Sequence, residues 1–256
     1  MANDGDPASG GVSGETMSLG NRMLSIYATP GEVFDQVRSS PPCAGNWLLP
    51  TLVLLLAMAA AVWIRFAKPA VILQIREQSA RQVQKMVQAG KLTADQADAA
   101  DERTQRLLTP NFLRITGILA GGVFTVAGLF LYALVLWLLG TRLFSAAIEY
   151  GKTLEITALA GMIQVLNVLV TSLLVAAKGN GMVTPGPAFF VEELDLHNPL
   201  HTVLTGLNVL TLWHVAVLAL GLARLGRIAW WKTAACLYSI WFGVSALFFG
   251  LGRLFS

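Results

Sequence analysis

Residues 113–139 read LRITGILAGGVFTVAGLFLYALVLWLL, a run that carries one charge, Arg114, at its very start. A helix rises about 1.5 Å per residue, so this run exceeds the ~30 Å hydrocarbon core of a bilayer. Lipid offers no water to backbone N–H and C=O groups, so a segment of this kind has to be helical. Four further apolar runs of spanning length flank it: Trp47–Ala67, Leu154–Ala177, Thr202–Ala223 and Ala229–Leu251. The expectation is an all-α, polytopic membrane protein with five transmembrane helices.

Composition agrees. Of 256 residues 55% are hydrophobic and 13% are charged, with a mean hydropathy of +0.61. Soluble domains carry about a quarter charged residues, so this chain has too few to cover a water-facing surface. Two cysteines, Cys43 and Cys236, exclude a disulfide scaffold and cysteine-rich metal motifs. The formal charge of +3 is spread through the loops, which argues against nucleic acid as a partner.

Four regions are expected: a disordered tail over 1–17, an amphipathic pre-membrane segment over 18–45, a membrane domain over 46–254, and within it a polar insert, 68–110. In the second region Thr29-Pro30-Gly31-Glu32 has the form of an N-cap, first-turn proline and capping-box glutamate. Val33, Phe34 and Val37 follow on one side, and Pro41-Pro42 end the helix. Such a helix either lies on the membrane or caps the bundle.

The insert Lys68–Pro110 predicts a helical hairpin between the first two spans. Val71, Ile72, Ile75, Val83, Met86 and Val87 recur at helical spacing. Gly90 is placed to end that arm in a left-handed conformation, Thr93 and Gln96 to cap the next, and Thr109-Pro110 to start the second span. Ala97, Ala100, Thr104 and Leu107 give the second arm a weak apolar stripe.

Polar groups within spans are costly unless paired. Gln164 and Asn167 in the third span, and Asn208, Thr211 and His214 in the fourth, are read as an intramembrane polar cluster. The cluster serves either as glue between helices or as the lining of a solute path. Gly117, Gly121, Gly122 and Gly128 are expected to let the second span approach a neighbour closely, and Gly221, Gly243 and Gly250 to do the same for the last two. Glu149, Lys152 and Glu155, at i, i+3 and i+6, are expected to pair as interfacial charges.

Glu193, Asp195, His197 and His201 have ligand chemistry but no metal-site spacing, so no metal and no cofactor is expected. No serine, cysteine or carboxylate pair sits in a nucleophilic context, so the chain does not read as an enzyme.

The stretch Ile26-Tyr27-Ala28-Thr29-Pro30-Gly31-Glu32-Val33-Phe34, ahead of Trp47…Pro50, resembles the opening of bacterial Yip1-domain membrane proteins. Leu207-Asn208-Val209-Leu210-Thr211-Leu212-Trp213-His214, followed by Leu218-Ala219-Leu220-Gly221-Leu222, resembles that family's fourth span. The resemblance covers roughly residues 20–254 and implies five spans in the cell (inner) membrane, with a cytoplasmic N-terminus. The Asp-Leu-Tyr-Gly-Pro motif of the eukaryotic relatives is absent. Glu149-Tyr150-Gly151-Lys152 lies elsewhere and lacks the proline, so a small-GTPase partner is not carried over. Raw positive-inside counting opposes the implied orientation, because eleven bases lie on the hairpin side and seven on the other.

The leading functional expectation is a non-enzymatic protein that organises the membrane or recruits partners. Those partners are membrane lipids and either another membrane protein or a second copy of the chain. The alternatives are a small solute permease using the polar cluster, and an enzyme acting on lipid head groups from the Glu192–His201 region.

Overall fold

A computed structural model of the chain describes residues 17–179, 183–191 and 199–254, and every regular element in them is helical. The expected tail 1–17 and the acids Glu192, Glu193 and Asp195, with His197, lie outside the described residues except at Met17.

Two short helices open the described chain: α1 (Leu19–Ser25) and α2 (Pro30–Ser39). Helix α2 starts at Pro30 as the cap pattern predicts, although the Thr29 side chain makes no capping bond. Its apolar side, Val33, Phe34 and Val37, is completely buried against the bundle. Of the two placements open for this segment, the packed cap is therefore the observed one.

Helix α3 (Gly45–Arg65) is followed by the expected hairpin, α4 (Pro69–Gln88) and α5 (Ala94–Leu107). Gly90 takes φ +71° at the turn, where a side chain would be strained. Thr93 and Gln96 complete a reciprocal capping box. The arms pack on each other, and Arg76 Nη2 donates to the Leu108 carbonyl at 3.2 Å. Ile75 and Val83 are half-buried, whereas Met86 of the same stripe and Leu107 of the second arm's stripe face outward.

Helix α6 (Pro110–Leu138) ends in a π-helical turn, Leu139–Leu143. The third apolar run divides at Gly161 into α7 (Tyr150–Ala160) and α8 (Met162–Lys178), which together make one crossing. The fourth run divides as well. A short α9 (Pro199–Gly206) precedes α10 (Val209–Gly226), because the chain breaks at Leu207-Asn208. There the Val209 N–H donates to the Pro185 carbonyl at 3.0 Å. Gly186 lies so close to the Leu207 carbonyl that a Cβ would overlap it. The 183–191 segment thus holds the break open, which the sequence does not foretell.

Four helical crossings are long and apolar enough to span a membrane among the described residues, rather than the five expected: Gly45–Arg65, Pro110–Leu143, Tyr150–Lys178 and Val209–Gly226. The fifth expected span, 229–251, falls on α11 (Trp230–Leu254). Its first half packs on α10 through Thr233, Ala234 and Leu237. Helix α11 opens on Trp230-Trp231-Lys232-Thr233 and is not among the helices apolar enough to span, which corrects the expected five to four among the described residues.

The α7–α8 crossing is the axis of the bundle. Every residue from Lys152 to Ala160 is buried, enclosed by α2, α3, α6 and α10. Outward faces are apolar instead: Leu56 and Trp63 on α3, Leu119 and Phe124 on α6, Leu173 on α8, and Phe248 on α11 all stand exposed. Phe124 alone is 77% exposed. A water-soluble protein does not tolerate an apolar surface of this extent. A bilayer supplies the matching solvent.

Candidate functional site

Two polar constellations lie within the bundle, one at its N-terminal end and one deeper. The deeper one is built on the two helix breaks. At Gly161 the Gln164 N–H bonds the Gly161 carbonyl at 2.9 Å instead of reaching back to Ala160. His214 Nδ1 on α10 lies 3.0 Å from the Ala160 carbonyl oxygen. A carbonyl can only accept, so this contact requires the proton on Nδ1.

From Gln164 a ladder crosses to the fourth apolar run. Asn167 Nδ2 donates to Gln164 Oε1 at 3.0 Å, and Asn208 Nδ2 donates to Asn167 Oδ1 at 2.9 Å. Asn208 is not a mid-helix side chain, as its place inside an apolar run suggested. It is the N-cap of α10, and its Oδ1 accepts from the N–H groups of Leu210 at 2.9 Å and Thr211 at 3.1 Å. Thr211 joins the group through its backbone. Gln164 and His214 also line a cavity of about 250 Å³, shared with Thr51, Thr125, Tyr132 and Gly128.

Among the glycines expected to pack, Gly117 and Gly121 face α3. A Cβ at Gly117 would come within 3.1 Å of Val62, and one at Gly121 within 2.6 Å of the Met58 methyl. Gly122 meets Leu55 only at ordinary contact distance, and Gly128 faces open space. Gly221 sits tightly between Ile156 and Phe34, whereas Gly243 and Gly250 have nothing within 4 Å.

The second constellation surrounds Glu155 on α7, which is 1% exposed. Glu155 Oε1 accepts from the Cys43 N–H at 3.0 Å and lies 3.2 Å from Lys152 Nζ. Its Oε2 accepts from Asn46 Nδ2 at 2.5 Å. Asn46 Oδ1 in turn accepts from Arg22 Nη1 at 3.1 Å. The i, i+3 pairing of Lys152 and Glu155 is present, and both side chains are buried. Glu149 does not join; it is exposed at the N-cap of α7. Sequence reasoning missed Arg22 and Asn46. An asparagine at the very start of an apolar run was the available signal.

Tyr27 ties the cap to the axis, donating its hydroxyl to the Met162 carbonyl at 2.6 Å. Burial pushes the pKa of that hydroxyl up from its ordinary value, so it stays a donor. On the outer side Arg224 Nη1 bonds Asp35 Oδ2 at 2.8 Å, and Arg38 Nη1 donates to the Arg224 carbonyl at 3.0 Å. Among the described residues no three His, Cys, Asp or Glu side chains gather in a way that could hold a metal ion.

The Yip1 domain family model matches residues 24–252. No curated protein and no solved structure matches the chain. The match spans nearly the whole sequence, and the chain belongs to the Yip1 family of integral membrane proteins.

Proposed function

We propose that this Yip1-family protein is a non-enzymatic membrane scaffold that uses the α4–α5 hairpin to recruit a protein partner. The partner is another membrane protein or a second copy of the chain. The observation that supports this best is how differently the two parts use their polar groups. Within the bundle the polar side chains bond one another or released backbone groups, so they serve packing. The hairpin buries only Val71 of α4 and nothing of α5, and it extends two charged arms beyond the apolar crossings. A marginal element of that length gains stability from a second surface. The chain sits in the inner membrane with its N-terminal segment in the cytoplasm.

A second reading, a small-solute permease, draws support from the cavity beside Gln164 and His214 and from the broken helices around it. The two readings part on one experiment. Photo-crosslinking side chains are placed at exposed Leu73 on α4 and at exposed Leu173 on α8, in cells. The scaffold reading expects one protein band captured from Leu73 and none from Leu173. Capture from Leu173 without capture from Leu73, or a solute-dependent rise in melting temperature abolished by Gln164→Leu, overturns it.

A further inference from the structure

The cavity beside Gln164 and His214 combines apolar walls with two polar atoms that the packing leaves unused. Leu54 and Met58 of α3, Leu129 of α6 and Val168 of α8 supply the walls, and no Asp, Glu, Lys or Arg lines it. Phe124, Gly128 and Tyr132 line it as well, at i, i+4 and i+8 on one face of α6. Phe124 and Tyr132 also stand exposed on the outside of the bundle, so the cavity opens sideways toward lipid. A Cβ at Gly128 would meet nothing within 4 Å. This glycine therefore leaves room at the opening that no neighbouring helix fills.

Packing occupies only one end of each polar side chain. Gln164 Oε1 accepts from Asn167, and His214 Nδ1 meets the Ala160 carbonyl. Gln164 Nε2 and His214 Nε2 have no hydrogen bond among the described residues, and neither atom is sealed from the cavity that both residues line. With the proton on Nδ1, Nε2 of the neutral ring accepts, while the amide nitrogen of Gln164 donates. A donor and an acceptor left unpaired at this depth are unfavourable.

One hydroxyl satisfies both atoms, donating to His214 Nε2 and accepting from Gln164 Nε2. That demand sets the chemistry of an occupant and points its polar end at α8 and α10. An ester or ketone carbonyl accepts but cannot donate, so it leaves His214 Nε2 unpaired. A carboxylate fails in the same way and finds no Lys or Arg on the walls. At about 250 Å³ the cavity falls below the ~300–1,000 Å³ of pockets that enclose drug-sized ligands. It takes the end of one chain and not a two-chain headgroup.

We propose that this cavity binds the hydroxyl end of a single-chain membrane alcohol, which enters sideways past Gly128. Its oxygen sits between Gln164 Nε2 and His214 Nε2, and its chain leaves along Phe124 of α6. The site is independent of recruitment by the hairpin, and it makes the cavity a lipid's seat in place of a solute's path.

The full chain is reconstituted in phosphatidylcholine vesicles with hexadecanol carrying a diazirine on its chain, irradiated, and the labelled peptides are mapped by mass spectrometry. Labelling should concentrate on α6 around Gly128 and on α8 around Val168, and unlabelled hexadecanol should compete. Hexadecyl methyl ether, which accepts but cannot donate, and hexadecanoic acid should compete about tenfold more weakly, the loss of one hydrogen bond. His214→Leu should weaken labelling by a similar factor. Gly128→Leu fills the opening, keeps both polar groups, and should abolish labelling there; it carries the test if His214→Leu does not fold. Labelling no stronger than at lipid-facing Leu173 would mean that water alone pairs the two nitrogens, and it overturns the site. Labelling unchanged by Gly128→Leu, or equal competition by the methyl ether, overturns it as well. Protection by a water-soluble solute but not by hexadecanol would overturn the assignment to lipid and return the cavity to transport.

Discussion

Asn208 does two jobs with one side chain: its carbonyl oxygen caps α10 while its amide nitrogen reaches across to Asn167. Removing it should therefore cost more than removing its partner. Asn167→Leu forfeits interhelical bonding worth about 1 kcal/mol. Asn208→Leu forfeits that bond and a cap worth about 0.5–2 kcal/mol. In reversible unfolding from mixed micelles, the two single changes should differ by the cap. The double variant should fall short of their sum by about the bond they share. Additive costs would mean that the ladder does not couple the helices. The polar types of this cluster are legible in the sequence because they interrupt apolar runs. Asn208's role is not, because only the break at Leu207 turns a mid-run asparagine into a cap. Likewise the spacing of Lys152 and Glu155 declares a pair, but its enclosure depends on Arg22 and Asn46, more than a hundred residues earlier.

Helices in this molecule begin and end where short-range chemistry tells them to, and they pack where longer-range geometry does. Pro30, Gly90, Thr93 and Thr109-Pro110 each mark a boundary in the sequence, and each boundary is found there. Breaks made by distant contacts are of another kind. The division at Leu207-Asn208 is held by the 183–191 segment lodged beside it, and the local signals there, Gly206 and Asn208, sit inside a run that otherwise reads as one span. Packing glycines divide in the same way: composition picks out four on α6, but only contact with α3 distinguishes Gly117 and Gly121 from Gly128. The hairpin tests how far local signals carry an element. Val83 is half-buried between the arms, so Val83→Asp should loosen the hairpin by no more than about 1.5 kcal/mol, the low end for burying a valine. Amide exchange across 71–107 should speed up while the 150–165 core stays protected. Unchanged exchange in the hairpin would mean that its arms do not depend on each other.

At the scale of the whole molecule, the two ends of the bundle carry different kinds of charge. The N-terminal end binds its charges into the fold: Arg224 pairs with Asp35, Lys152 with Glu155, and Arg22 bonds Asn46. The hairpin end spreads its bases over a long, exposed element, where Arg81 pairs with Glu77 and Arg106 with Glu102, each within one helix. Basic bias in short loops sets orientation most strongly, and Arg224, Arg227 and Lys232 crowd the short link between α10 and α11. The proposed orientation rests on that link and not on the larger raw count on the hairpin. Cys43→Ser with Cys236→Ala supplies a background for labelling by a membrane-impermeant maleimide in intact cells. Cysteines at exposed Gln88 and Leu200 should be modified, and one at exposed Ala229 should react only after permeabilisation. The opposite pattern would put the hairpin in the cytoplasm. It would then move the expected partner of α4–α5 to that side.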